Sequence, residues 1–485
     1  MTTIHETVEE KQRHWFGEVF SLNGQNNRNT TDNNITTTVG YPPTDQMAYH
    51  PCLRSLPTLR SLTDAAQLKQ IAPLTSLIFP LHANSGTHHA YLYIGTPPQR
   101  QTLIIDTGSR ITAFPCHPYC FDCGVHASKQ FYLNASSSHA IVPCEECRLN
   151  QVELHHLGDE NSKIEKYGRR RASKPCVKNL CRINQKYTEG SSWRAFEVRD
   201  RVWLGLDASL PSVEQHNKFA APFVFGCLVS EEGHFKLQYA DGIMGLSMYT
   251  QTLVGEWSRH GSIAQNSFSL CLSREGGHIS IGGTGLSHDR PSKQNGRPVY
   301  GKINLSPMRF TPFAKLNVWY FSVTVTSISV GAVVLPNRIL RFVNDHKGTI
   351  VDSGTTDTFI SHKVEMEFAA AWEKVTGRSY NNRLQNYTHK EFNELPIILF
   401  ELQGGVRWEI NPVAYMEINS SPNWTENTKL HDQNSPWEGM REFSSRIYVD
   451  EPAGMVLGSN AMMDKEVYFD IANKMIGVGK SPCVY

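Results

Sequence analysis

Two short stretches of this sequence repeat one pattern. Leu103 to Ser109 reads LIIDTGS, and Thr349 to Thr356 reads TIVDSGTT. In each, a run of strand-favouring residues ends in an aspartate, a hydroxyl residue, a glycine and another hydroxyl residue. The glycine permits a sharp turn, so the aspartate sits at a strand tip and not inside a sheet. The flanking hydroxyls can hydrogen-bond carboxylate oxygens and hold them in one orientation. One Asp-Thr-Gly is an ordinary turn signal. Two copies, with aspartates 246 residues apart, imply a duplicated unit. Two carboxylates brought face to face cannot both ionise cheaply, so the pair keeps one proton. The ionised member can act as general base on a water between them, while the protonated member polarises a substrate carbonyl. That chemistry is peptide hydrolysis without a covalent intermediate.

The rest of the chain fits a mainly β architecture. From Leu81 onward, short apolar runs such as AYLYIG, TLIID, FVFG, HISIGG, YFSVTVTSISVG and VYFDI are bounded by Gly, Pro and Asn, which reads as strands. Helical spacing is sparse, best at Lys363–Val375 and Thr252–His260, with a short helix also expected around Leu62–Ile71. Loops are expected to dominate Cys116–Tyr187 and Asn419–Glu442. Residues 1–80 are polar and irregular, and Asn23–Thr38 is low in complexity. A length of 485 residues exceeds one ordinary core, so two lobes are expected.

A net charge of +1 gives no electrostatic reason to expect nucleic acid or an anionic membrane as partner. No apolar run is long enough to span a bilayer. The N-terminus, with early acids and no apolar core segment, does not read as a signal peptide. Cysteines argue for an oxidising compartment: there are eleven, seven of them between Cys116 and Cys181. Glycosylation sequons at Asn29, Asn34, Asn134, Asn304, Asn386, Asn419 and Asn423 point the same way.

The motifs resemble those of the pepsin-like aspartic proteases over roughly residues 81–485. GTPPQ (Gly95–Gln99) resembles the family's first hairpin. ADGIMGL (Ala240–Leu246) and MVLGSNAM (Met455–Met462), the latter followed by VYFDIANKMIGVG, resemble the segments that cross behind the two aspartates. The resemblance implies a bilobal fold: an N-terminal lobe at 81–304, a C-terminal lobe at 305–485, and the active-site cleft between them. It implies that Asp106 and Asp352 form the catalytic dyad, that Ser109 and Thr355 orient the outer carboxylate oxygens, and that Thr107 and Ser353 bond across the lobe junction. Gly108 and Gly354 would present backbone to substrate, beside Thr355 and Thr356. KYTEGSSW fits the family's flap, with Tyr187 over the cleft and Gly190 in the turn. Ala113 stands where pepsin has a tryptophan that steadies this tyrosine, and Trp193 is the candidate to replace it.

The long insertion at about 116–185 resembles the cysteine-rich insert of the plasmepsin V and nepenthesin-like branch. Cys116, Cys120, Cys123 and His126 have spacings that permit zinc, but disulfides are favoured because such proteases mature in the secretory path. Seven insert cysteines is an odd number, so at least one pairs outside the insert or stays free; Cys52 and Cys227 are unassigned. By resemblance to β-secretase-like relatives, Cys271 pairs with Cys483. The N-terminal extension is a candidate prosegment, with Arg54, Arg60 or Lys69 available to pair with the dyad. GRRRASK (Gly168–Lys174) reads as a solvated basic loop or a processing site. The expected protein is a monomeric endopeptidase of the secretory pathway that acts on polypeptides, with no cofactor or metal. The alternatives are an inactive pepsin-like binding protein or inhibitor, and a zinc-structured interaction module.

Overall fold

The strand that ends in Asp106 explains why the chain needs so many apolar residues there. Gln99–Asp106 is a central strand covered on both faces, and Leu103 and Ile105 are fully buried. It pairs antiparallel with Thr87–Ile94 and parallel with Gly242–Gly245. The structure is a computed structural model that describes residues 77–84, 86–149, 176–177, 179–187, 189–205, 220–283, 306–315, 319–419 and 437–483. All of these lie in one compact unit, Pro73–Tyr485. The candidate prosegment residues, the helix expected at Leu62–Ile71, Cys52, the basic run at Gly168–Lys174 and the sequons at Asn29, Asn34, Asn304 and Asn423 lie outside the described residues.

The second half repeats this arrangement. Thr349–Val351 runs parallel to Met455–Leu457, as Gln99–Asp106 runs parallel to Gly242–Gly245. Ala113–His117 touches the crossing strand antiparallel at Ile243, and Thr358–Ser361 does the same at Val456. Each acid-bearing strand is therefore backed by a crossing strand that pairs on its other side with the strand after the acid turn. Backbone bonds secure both tips to their crossing strands, in opposite directions: Leu246 N donates to Asp106 O at 2.8 Å, and Asp352 N donates to Leu457 O at 3.0 Å.

One long sheet joins the halves. From Gln99–Asp106 it continues through Thr87–Ile94, Leu77–Asn84, Gly276–Ile281 and Ser267–Ser273 to Lys465–Asp470, Met475–Lys480 and Arg309–Pro312. An aromatic core lies along this join. Phe268 stacks on Phe469 at 4.7 Å, and Phe321 meets Phe469 at 4.6 Å. Burying such rings contributes the transfer of their apolar area plus about 0.5–1.5 kcal/mol per pair.

The two longest helices among the described residues fall where the apolar spacing placed them, at Leu253–Arg259 and Glu365–Thr376, while short ones such as His389–Asn393 had no such signal. Thr252 caps the first by accepting a hydrogen bond from Gly255 N, and Gly377, at φ 69°, ends the second. The β texture begins at Leu77, four residues before the expected start. Within Cys116–Tyr187, where loops were expected to dominate, the described residues also hold strands, the longest of them at the end. Leu180–Lys186 is a strand, because Ser192–Leu204 supplies an antiparallel partner for Arg182–Lys186 and Cys176–Val177 one for Leu180 and Cys181. Its own sequence, LCRINQK, has only three apolar residues. Expected strand YFSVTVTSISVG is interrupted, forming Ser322–Val323 and Val325–Val330.

Candidate active site

The two strand tips meet. Thr107 N donates to Ser353 Oγ at 3.2 Å, and Ser353 N donates to Thr107 Oγ1 at 2.9 Å. The same hydroxyls donate onward to the opposite strand: Thr107 to Val351 O at 3.0 Å and Ser353 to Ile105 O at 2.8 Å. Both side chains are buried. Four reciprocal bonds thus tie the halves together one residue past each aspartate. Replacing Thr107 by Val keeps the shape but strands the Ser353 N–H and the Val351 carbonyl. At about 1–3 kcal/mol per stranded buried group, the variant is expected to lose about 2–4 kcal/mol. Thermal unfolding of the purified variant checks this; an unchanged Tm would contradict it.

Each carboxylate is clamped in the same way. Asp106 accepts from Gly108 N at 2.7 Å through Oδ1 and from the Ser109 hydroxyl through Oδ2. Asp352 accepts from Gly354 N at 3.0 Å through Oδ1 and from Thr355 Oγ1 at 2.7 Å through Oδ2. The inner space is shared closely. A Cβ on Gly108 would lie 2.6 Å from Asp352 Oδ2, and one on Gly354 would press harder still on the Asp106 carboxyl. Only glycine fits between the two acids. Burial pushes the Asp106 carboxyl well above the ordinary carboxylate range, and the charge of Asp352 pushes it further; Ser109 and Gly108 N–H oppose the shift. The pair therefore holds a proton at pH values where an exposed aspartate has lost it.

Tyr187 sits over this pair. It lies at the end of Leu180–Lys186, in a hairpin whose turn is closed by Tyr187 N to Ser191 O at 2.9 Å and Gly190 N to Tyr187 O at 3.1 Å. Gly190 has φ 96°, a conformation that disfavours any residue with a Cβ. The Tyr187 and Ser109 hydroxyls are 3.3 Å apart. Ser109 gives its only proton to Asp106, so the Tyr187 O–H supplies the proton of that contact. Trp193 Nε1–H donates to the Tyr187 oxygen at 3.3 Å. Trp193, Tyr187, Ser109 and Asp106 thus form one chain of hydrogen bonds. Burial, and then the Asp106 charge, push the Tyr187 phenol upward, so it stays protonated. Ala113 is buried beneath, in the same apolar cluster as Trp193.

Thr356 is half-buried at the end of the second acid turn. Its methyl would meet a Cβ on Gly86 at 2.9 Å, in the turn between the first two strands. Its carbonyl accepts from Asn460 N at 3.1 Å and Ser459 Oγ at 3.1 Å. Ser459 and Asn460 were not singled out in the sequence. They brace the second acid turn: Ser459 N also binds Thr355 O at 2.7 Å, and Asn460 Oδ1 accepts from Thr358 Oγ1 at 2.7 Å.

Residues 89–283 match the family model described as Xylanase inhibitor N-terminal, and residues 320–480 match Xylanase inhibitor C-terminal. The chain belongs to the pepsin-like aspartic protease family. Its fold is the β-rich fold of that family. Plasmepsin V of Plasmodium falciparum (isolate 3D7) is 34% identical over 194 residues, covering 39% of this chain and 28% of that protein. Aspartic protease 5 of Toxoplasma gondii is 29% identical over 312 residues, covering 58% of this chain and 30% of the relative. Nepenthesin-2 of Nepenthes gracilis is 24% identical over 284 residues, covering 58% and 54%. The match to this chain therefore spans less than a third of the first two relatives.

Within this pepsin-like chain the described cysteines form disulfides, as favoured over the zinc alternative for Cys116, Cys120, Cys123 and His126. Cys116 pairs with Cys227, Cys120 with Cys123, Cys144 with Cys176, Cys147 with Cys181, and Cys271 with Cys483. Thiols joined in pairs offer no thiolates to a metal. Cys227 absorbs the odd insert cysteine. Its only signal in the sequence was that odd count, since connectivity cannot be read from spacing. Cys147–Cys181 anchors the start of Leu180–Lys186, the strand that leads to Tyr187, to the insert. Glu197 holds the same region by accepting from Arg148 N at 2.8 Å and Leu149 N at 2.9 Å.

Proposed function

We propose that this protein is an aspartic endopeptidase that hydrolyses peptide bonds of extended polypeptides. The reading is carried by one observation: a buried carboxylate, Asp106, and a half-buried one, Asp352, each clamped by a hydroxyl and a glycine N–H, with a glycine of each turn pressed against the opposite carboxyl. In this reading the deprotonated member of the pair takes a proton from a water. That water attacks the scissile carbonyl, while the protonated member donates a hydrogen bond to the carbonyl oxygen. Proton transfer to the leaving amine completes cleavage. The Tyr187 flap folds over the substrate backbone and excludes bulk water. An inactive binding protein would leave the clamped pair without a role.

The site reading also concerns compartment. Five disulfides favour an oxidising environment, such as the secretory pathway. Among described sequons, Asn134, Asn386 and Asn419 are exposed and accessible to glycosylation. No helix among the described residues is long and apolar enough to cross a membrane.

Cleavage-site profiling of a denatured proteome over a pH series, read by mass spectrometry, tests the function. Internal cleavage at defined sites is expected; no cleavage at any pH would overturn the reading. The same series has an expected shape. Activity falls on the alkaline side as the pair loses its shared proton. Stability follows the same direction. The Asp106 proton is held more tightly in the folded than in the unfolded chain. Its contribution therefore declines as pH rises from the ordinary aspartate value, about 3.9, toward the raised folded value. An Asp106→Asn variant should lose that part of the Tm-versus-pH slope.

A further inference from the structure

His126 follows the Cys120–Cys123 ring in the sequence FDCGVH, and its imidazole is used at both nitrogens. Nδ1 lies 3.0 Å from Gln238 O, and Nε2 lies 3.0 Å from Glu231 Oε2. The side chains of His126 and Glu231 are 4% and 0% exposed. A carboxylate so deeply buried needs a partner, and the imidazole is the charged group set against it. The neighbouring backbone is drawn into the same junction. Gly124 N donates to Glu231 Oε2 at 3.3 Å, Glu231 N donates to Asp122 O at 3.3 Å, and Ala127 N donates to Tyr239 O at 2.9 Å. Gly124 lies so flat on the turn Gly233–Lys236 that a Cβ there would collide with the Lys236 carbonyl.

What lies behind this junction is the flap. Glu231 is the direct cross-strand neighbour of Trp193, which hydrogen-bonds Tyr187. Phe235, on the turn pressed by Gly124, packs on the Tyr187 ring at 5.1 Å. Resting on the protease reading above, we infer that His126 is a positioning residue: by bridging Glu231 and Gln238 it locks the disulfide-closed loop against the strand and turn that hold Tyr187 over the dyad. The imidazole acts through Trp193 and Phe235 and touches neither acid. The environment suits a charged imidazole. Its Glu231 and Gln238 bonds, with Asp241 nearby, raise the His126 pKa, although burial alone would lower it.

The test uses the full chain. Hydrogen–deuterium exchange of residues 182–196 is compared in wild type, His126→Ala and the isosteric Glu231→Gln. About tenfold faster exchange is expected in His126→Ala, and a smaller increase in Glu231→Gln, with Thr349–Val351 unchanged as reference. Unchanged flap exchange in both variants would overturn the inference. Kinetics give a second reading. His126→Ala should lower kcat/KM about tenfold in the wild-type background but less than about twofold in Tyr187→Ala, because the group being positioned is gone. His126→Gln, which retains a donor toward Glu231, should regain part of the loss. Equal fold losses in both backgrounds would mark His126 as a structural residue only. A wild-type protein without peptidase activity would instead contradict the protease reading, and the exchange experiment would still decide the clamp.

Discussion

Replacing either Asp106 or Asp352 by asparagine is expected to lower kcat/KM on a peptide substrate by at least about 10³-fold while leaving the fold intact. The amide keeps the shape and can still accept from Gly108 N or Gly354 N at one atom. It can neither take a proton from water nor share one with its partner. Positioned general acid–base catalysis contributes about 10²–10⁴-fold, and the pair supplies both the base and the acid. Stability should move the other way. Each wild-type carboxylate lies beside a like group, and the buried Asp106 carboxyl is raised by that burial and by the Asp352 charge. Removing one acid relieves the repulsion, so Tm should hold or rise. A loss of activity with a large fall in Tm would instead point to misfolding. Activity assays and thermal unfolding on the same preparation separate these outcomes.

Loss of the Cys271–Cys483 bridge should produce the largest fall in stability among the disulfides. The bond closes a loop with a sequence separation of 212, and both sulfurs are buried. Chain-entropy arguments give about 5 kcal/mol for a loop of this length, and observed losses run about 2–5 kcal/mol. It also fastens the last described residues to Ser267–Ser273, a strand of the sheet that joins the halves. A Cys271→Ser, Cys483→Ser double variant is expected to melt about 5–10 °C lower. By contrast, the Cys120–Cys123 ring spans three residues and constrains little of the unfolded chain. A Cys120→Ser, Cys123→Ser variant that melted lower than the Cys271–Cys483 variant would contradict this ranking.

Much of this architecture could be read before any coordinates, for physical reasons that differ from element to element. The strands at Leu103 and Thr349 announce themselves because a central strand is apolar on both faces, and an acid after such a run is conspicuous. The cross-bonding of Thr107 and Ser353 has no local signature. It joins groups 246 residues apart, and only resemblance to a known family suggested it. Leu180–Lys186 was hidden because a partner strand, and not its own composition, makes it a strand. The Trp193 bond to Tyr187 was foreseeable only as a candidate, since a buried tryptophan usually needs no functional reason to be there. His126 was visible as chemistry-bearing, but the only role weighed for it was in a disfavoured zinc set. Its true partner, Glu231, lies 105 residues away and on another strand. Local pattern reports strands and turns well. It does not report which distant polar groups will satisfy one another once buried.

Neutron diffraction from a crystal of the deuterated protein at mildly acidic pH most directly tests the proposed pair. The account predicts one deuteron held between the Asp106 and Asp352 carboxyls and one water within hydrogen-bond distance of both. Two deuterons, none, or carboxyls turned apart with no solvent between them would contradict it.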